Sequence, residues 1–200
     1  MPTCKRLLPL LILLLTGTAC AGGTTPLAEA EPMRSYVWYD GDTPRQAWLD
    51  PEVVAIFGAR NDSVDAAVRS LAPAARQLPS ATPGLRLWRL PQAVRAARSL
   101  QTLEPDARIS PVLRDSPSPD GPMRALPGGV IVHLDPAWSS EEAESWLLSR
   151  NLQPAREILP NAFLVPSEPG LAALELANRL RQEQGVVAAM PDWWQELAPR

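Results

Sequence analysis

Few residues in this chain could do chemistry. His133 is the only histidine. A serine nucleophile needs a neighbouring base, most often histidine, but His133 stands between Val132 and Leu134 in an apolar run without a motif. That setting predicts a half-buried structural histidine rather than a general base. The two cysteines, Cys4 and Cys20, both lie near the N-terminus. This leaves no cysteine–histidine pair and, after leader removal, no internal disulfide. No phosphate loop and no metal-ligand spacing is present, so neither a cofactor nor a metal is expected. Glu141, Glu142 and Glu144 cluster where a helix should start, and the helix dipole favours acids there. What remains is the chemistry of binding. The segment Leu197-Ala198-Pro199-Arg200 joins an apolar residue, a proline that pre-sets an extended backbone and a terminal carboxylate. Such a segment can add as a strand to a cleft edge. The alternative is an ordinary frayed terminus. Trp193 and Trp194 are adjacent, so in an extended chain one can pack inward while the other is offered to a partner.

The N-terminus reads as a targeting segment, residues 1–19. Lys5 and Arg6 precede an apolar stretch at 7–15, too short for a bilayer, which needs ~20 residues. Thr16-Gly17-Thr18-Ala19-Cys20 resembles a bacterial lipobox, in which Cys20 is lipidated, although Gly17 sits where leucine is usual. Ala19-Cys20-Ala21 also fits ordinary signal peptidase, so an anchored and a secreted product both stand. Ala21 after the cysteine is similar to outer-membrane lipoproteins of Gram-negative bacteria. Either way the chain reaches the cell envelope, in the outer membrane, the periplasm or beyond, and touches a membrane only through the lipid. Losing Lys5 and Arg6 leaves 17 arginines against 22 acids, so net charge moves from −3 to −5. An acidic exported chain has no electrostatic footprint for nucleic acid.

The intervening elements predict an α+β chain of two small domains. Residues 20–33 are a flexible tether. Residues 34–114 form an N-terminal α+β domain. It has a hairpin around Asp40-Gly41-Asp42, a strand at 53–57, a helix from Asn61 or Asp62 towards Leu78, a strand at 85–90, a helix at 92–103 and a strand at 109–113. Pro73 should kink the first helix or end it early. Residues 115–127, with Pro117, Pro119 and Pro122, are a linker. Residues 128–192 read strand, helix, two short strands around Pro160-Asn161, helix, strand. Ser139 and Glu142 form a capping box, and Gly185 ends the second helix. Residues 193–200 are an extended tail.

Both parities of the last domain's strands are apolar. Two helices cover one face of a small antiparallel sheet, and the other is normally polar. The open face, assigned to Ile131, His133, Phe163 and Val165, is therefore covered by the first domain or by another protein.

Several segments together resemble a known family. They are Ile109-Ser110-Pro111-Val112-Leu113, residues 128–134, Pro160-Asn161-Ala162-Phe163-Leu164-Val165, residues 173–180 and residues 185–193. The series is similar to the N-terminal prodomain of subtilisin-like serine proteases, above all of bacterial precursors with an extra region before the propeptide. Tyr36-Val37-Trp38-Tyr39-Asp40-Gly41, with residues 53–57, is similar to that extra region. The resemblance implies a ferredoxin-like βαββαβ domain whose open sheet face packs on the protease. Its tail would lie in the active-site cleft as a bound product, with Arg200 in the first specificity pocket and Leu197 in the fourth. Such prodomains assist folding and inhibit. Here no catalytic domain follows, so the expectation is a non-enzymatic partner of a subtilisin-like protease acting in trans, with no small-molecule substrate. An adaptor lipoprotein for an unrelated envelope partner and a truncated precursor are the alternatives.

Overall fold

The computed structural model describes residues 33–58, 62–153 and 156–196. The targeting segment, Cys20 and all of the tether but Met33 lie outside them. Two antiparallel sheets and four helices make an α+β chain among the described residues. Strand β1 (Ser35–Asp40) turns at Gly41 (φ 57°) into the long β2 (Thr43–Phe57). The predicted hairpin return and the predicted strand at 53–57 are thus one strand, bent by an irregularity between Leu49 and Val54. Helix α1 (Asp62–Leu71) ends before Pro73, and the stretch expected to continue it is instead a short strand, β3 (Arg76–Leu78). Then follow β4 (Leu85–Arg89), α2 (Ala93–Leu103), β5 (Arg108–Arg114) and β6 (Met123–Ala125). The second half is β7 (Val130–Leu134), α3 (Ser140–Ser149), β8 (Arg156–Leu159), β9 (Ala162–Val165), α4 (Leu171–Leu180), β10 (Val186–Pro191) and β11 (Trp194–Gln195).

The larger sheet runs β11-β6-β5-β2-β4-β3, with β1 paired to β2; the smaller runs β10-β7-β9-β8. Both contain a strand-helix-strand-strand-helix-strand unit with one shared order: the last strand beside the first, then the third, then the second. In the first unit this is β5-β2-β4-β3, in the second β10-β7-β9-β8. The two halves share a topology that their residues express only faintly.

Alternation along β2 explains the layers. Val54 and Ile56 turn to α1 and α2, where Val64, Val68, Trp88, Ala97 and Leu100 complete one core. Val53 and Ala55 turn the other way, with Leu87, Val112 and Met123. A third cluster, Val132, Phe163 and Leu147 among others, lies between the smaller sheet and its helices. A fourth joins the halves: Trp38, Ala47 and Leu49 of the hairpin meet Leu113, Leu126, Ala173 and Leu174. Helix α4 is therefore shared. Ala177 and Leu180 face its own sheet, while Ala173 and Leu174 face the first half.

The stretch 115–127 departs from a simple linker. After Pro117, Pro119 and Pro122 the next three residues form β6, which pairs with β5. The buried Arg114 Nη1 donates to Gly121 O at 2.5 Å, which closes the loop between them.

Candidate functional site

The smaller sheet carries the candidate surface. Its register is set at the β8–β9 turn, where Asn161 adopts a left-handed backbone (φ 57°). The Asn161 side-chain amide donates to Asp135 O at 3.0 Å and Trp138 O at 2.9 Å, fastening the turn to the loop after β7. This places Val132 opposite Phe163 and Val130 opposite Val165. Directly opposed residues share a face. Phe163 and Val165 therefore turn towards α3 and α4, 2% and 1% exposed, and do not belong to the open face. The assignment of Ile131 and His133 to that face agrees with the register, and both are half-buried.

Two cross-strand rows make up the face. Met190, Ile131, Leu164 and Arg156 form one; Ala188, His133, Ala162 and Leu159 form the other. Leu159 is 62% exposed. An irregularity between Val186 and Ala188 lets Val186 and Ala189 both pack on the helix side, whereas strict alternation separates them. Val187 at that irregularity is 59% exposed. The face is thus an apolar strip with one histidine, and an arginine at its β8 edge. At its β10 end, Asp192 N donates to Gly129 O at 3.0 Å. Burial pushes the Asp192 carboxyl above its ordinary value of 3.8, while the guanidinium groups of Arg156 and Arg108 pull the other way. Sequence alternation did not single out Leu164, Met190 or Asp192. The bulky Phe163 beside the small Ala162 was the available signal, since the larger side chain fills the helix-covered core.

Helix α4 carries much of the polar contact between the halves. Asn178 Nδ2 donates to Val37 O at 2.8 Å, and Arg181 donates to Gly41 O at 2.8 Å and to Asp42 Oδ1 at 3.0 Å. The Arg181 guanidinium also lies 4.2 Å from the centre of the Tyr39 ring.

The C-terminal segment is tied down further than an extended tail would be. Trp193 meets Trp38 edge to face with ring centres 5.4 Å apart, and Arg124 lies over both rings. Trp194 packs beside the outer cluster of the larger sheet, and its Nε1 donates to Thr82 Oγ1 at 3.1 Å. Trp194 and Gln195 pair with Ala125 and Arg124, and Glu196 N donates to Met123 O. Both tryptophans, one of which was expected to be offered to a partner, are engaged within the chain, because β6 offers a free edge where the chain leaves β10. Leu197, Ala198, Pro199 and Arg200 lie outside the described residues.

The capping box stands as expected: Glu142 N donates to Ser139 Oγ, and Ser139 N to Glu142 Oε2. Ser139 Oγ also donates to Glu142 Oε2, and the backbone and side-chain hydrogen bonds that the carboxyl accepts from Ser139 hold it below its ordinary value of 4.5. Among the described residues, no cluster of three or more histidine, cysteine or acidic side chains could hold a metal. No helix among them is long and apolar enough to cross a membrane.

Fold and surface together define an α+β protein of two antiparallel sheets and four helices with an apolar open face on the smaller sheet. No family model, no curated protein and no solved structure matches the chain.

Proposed function

We propose that the chain is an exported, non-enzymatic binding protein that engages a subtilisin-like serine protease in trans, as inhibitor, folding helper or both. One observation carries the reading: Met190, Ile131 and Leu164 form an apolar row across three strands on the side away from α3 and α4. An apolar face of this kind on an exported chain is a surface made for a partner. The strand order β10-β7-β9-β8 with both helices on one side agrees with a ferredoxin-like unit, the arrangement that the prodomain resemblance implies. In this reading Cys20 carries a lipid anchor in the outer membrane, and the protease lies on the open face. Leu197 to Arg200 enter its cleft from the point where β11 releases the chain. Four extended residues reach about 14 Å.

The engagement of Trp193 and Trp194 within the chain also favours a second reading, an adaptor that binds through the sheet face alone. One experiment separates the two. Full-length chain is mixed with a subtilisin-like protease and residual activity is followed. The protease reading expects inhibition, weakened about tenfold or more by Leu164→Arg, as for loss of a buried interface anchor, and weakened again by deleting residues 197–200. Unchanged protease activity at micromolar chain overturns it. Inhibition by the shortened chain equal to that of the parent removes the tail from the mechanism.

A further inference from the structure

The acidic chain holds a cavity of opposite character. It lies where Met33 and Arg34 enter the first strand, against the N-terminal half of α2 and the first residue of α4, and has a volume of about 370 Å³. Three arginines line it, Arg34, Arg95 and Arg98, and no aspartate or glutamate does. Arg95 and Arg98 are three residues apart, hence on one side of α2. None of the three guanidinium groups makes an ion pair or side-chain hydrogen bond with another described residue. By contrast Arg114, Arg124, Arg150 and Arg181 all pair with acids. Other exposed arginines, Arg76, Arg89 and Arg179 among them, also lack an ion pair with a described residue; what distinguishes these three is that they line one hollow that no acid lines. Water screens these exposed charges from one another, and an anion in the hollow would interact with all three.

The backbone adds to the same field. The N-cap of α2 is Gln92, left-handed at φ 53° and ψ 47°, a conformation costly for any residue with a β-carbon. No side chain caps this end of the helix, and its first turn holds no acid, so its free N–H groups and dipole favour negative charge. Gln92 and Val94 line the cavity. The remaining wall is apolar, with Tyr36, Leu49, Pro51 and Leu171.

We propose that this cavity binds a phosphate ester carried on an apolar body. The guanidinium fork matches the oxygens of a phosphate. Leu49, Val94 and Leu171 suit an alkyl or acyl portion, and the volume falls within the range of small-ligand pockets, roughly 300–1,000 Å³. A phospholipid and a soluble alkyl phosphate share this chemistry. The site is independent of the sheet face and of any protease.

Calorimetric titration of the full-length chain tests the assignment with three probes: hexyl phosphate, dihexanoyl phosphatidic acid below its micelle concentration, and inorganic phosphate. Hexyl phosphate should bind, and added salt should weaken it. Arg95→Glu with Arg98→Glu should weaken it by a factor of about ten or more, the scale of lost charge-assisted hydrogen bonds. Arg34→Gln, a milder change outside the helix, should weaken it in the same direction and keeps the test open if the double variant loses its circular dichroism. Tighter binding of dihexanoyl phosphatidic acid than of hexyl phosphate supports the site with a lipid as its source; equal binding supports it with a soluble ester. Inorganic phosphate binding as tightly as hexyl phosphate overturns the apolar part of the assignment. Undiminished binding by folded charge-reversed chain, or no binding at millimolar probe, overturns it altogether.

Discussion

Asp50 and Arg114 show what single residues contribute here. Both are almost fully buried, and Arg114 Nε lies 2.7 Å from Asp50 Oδ2. Asp50 Oδ1 accepts from Glu52 N, which stitches the bend in β2, and Arg114 closes the loop to Gly121. Neither charge has water to fall back on. Removing one partner strands the other, so Asp50→Ala should cost roughly 3–5 kcal/mol in a urea melt. Replacing both, Asp50→Leu with Arg114→Met, should cost less than the single change, because no buried charge is orphaned. A double variant less stable than the single one contradicts this account. The pair was illegible in the sequence, since 64 residues separate its members and only the β2–β5 register brings them together. The capping box at Ser139 and Glu142 was legible, because its two residues lie within one helical turn and local geometry decides it. His133 was legible in part. Its apolar neighbours indicated a strand, and the register then placed it on the open face.

At the scale of elements, helix ends and glycine turns were readable and strand faces were not. Pro73 ended α1 as expected, but the three residues of β3 carry no pattern long enough to see. The face of β9 was ambiguous because Ala162, Phe163, Leu164 and Val165 are all apolar, and only the turn at Asn161 fixes which of them look inward. Gly185 was read only in part. It was expected to stop α4, but the helix ends at Leu180, and Gly185 instead closes the following turn and begins the return into β10. Its backbone is left-handed (φ 88°), and a β-carbon there would lie 2.1 Å from the Trp138 ring. Asp135 N donates to its carbonyl, so the backbone cannot turn away without losing a hydrogen bond. Gly185→Ala should therefore lower stability by about 2 kcal/mol or more, from left-handed strain plus overpacking. Trp138→Ala combined with it should recover only the steric part. A thermal melt unchanged by Gly185→Ala contradicts the close approach of ring and backbone.

At the scale of the whole molecule, α4 and the C-terminal segment bind the two halves to each other. The sequence suggested two α+β units. It did not suggest that the hairpin of the first would clasp a helix of the second, because Asn178 and Arg181 lie 141 and 140 residues from the carbonyls they reach. Nor did it show that the chain, after finishing the smaller sheet, returns to the edge of the larger one. That return has an energetic consequence distinct from any role in binding. Deleting residues 193–200 removes Trp193 from its contact with Trp38 and Arg124, Trp194 from the outer cluster, and the strand that covers the β6 edge. Losing a large packed aromatic costs about 3–5 kcal/mol, so this truncation should shift the urea midpoint strongly and report in both halves at once. Deleting only 197–200 leaves every one of these contacts in place and should leave the midpoint unmoved. The contrast separates a structural strand from a segment kept for a partner. If the shorter deletion destabilises the chain as much as the longer one, the last four residues belong to the fold. They are then not free to enter a protease cleft, and the open sheet face must account for binding alone.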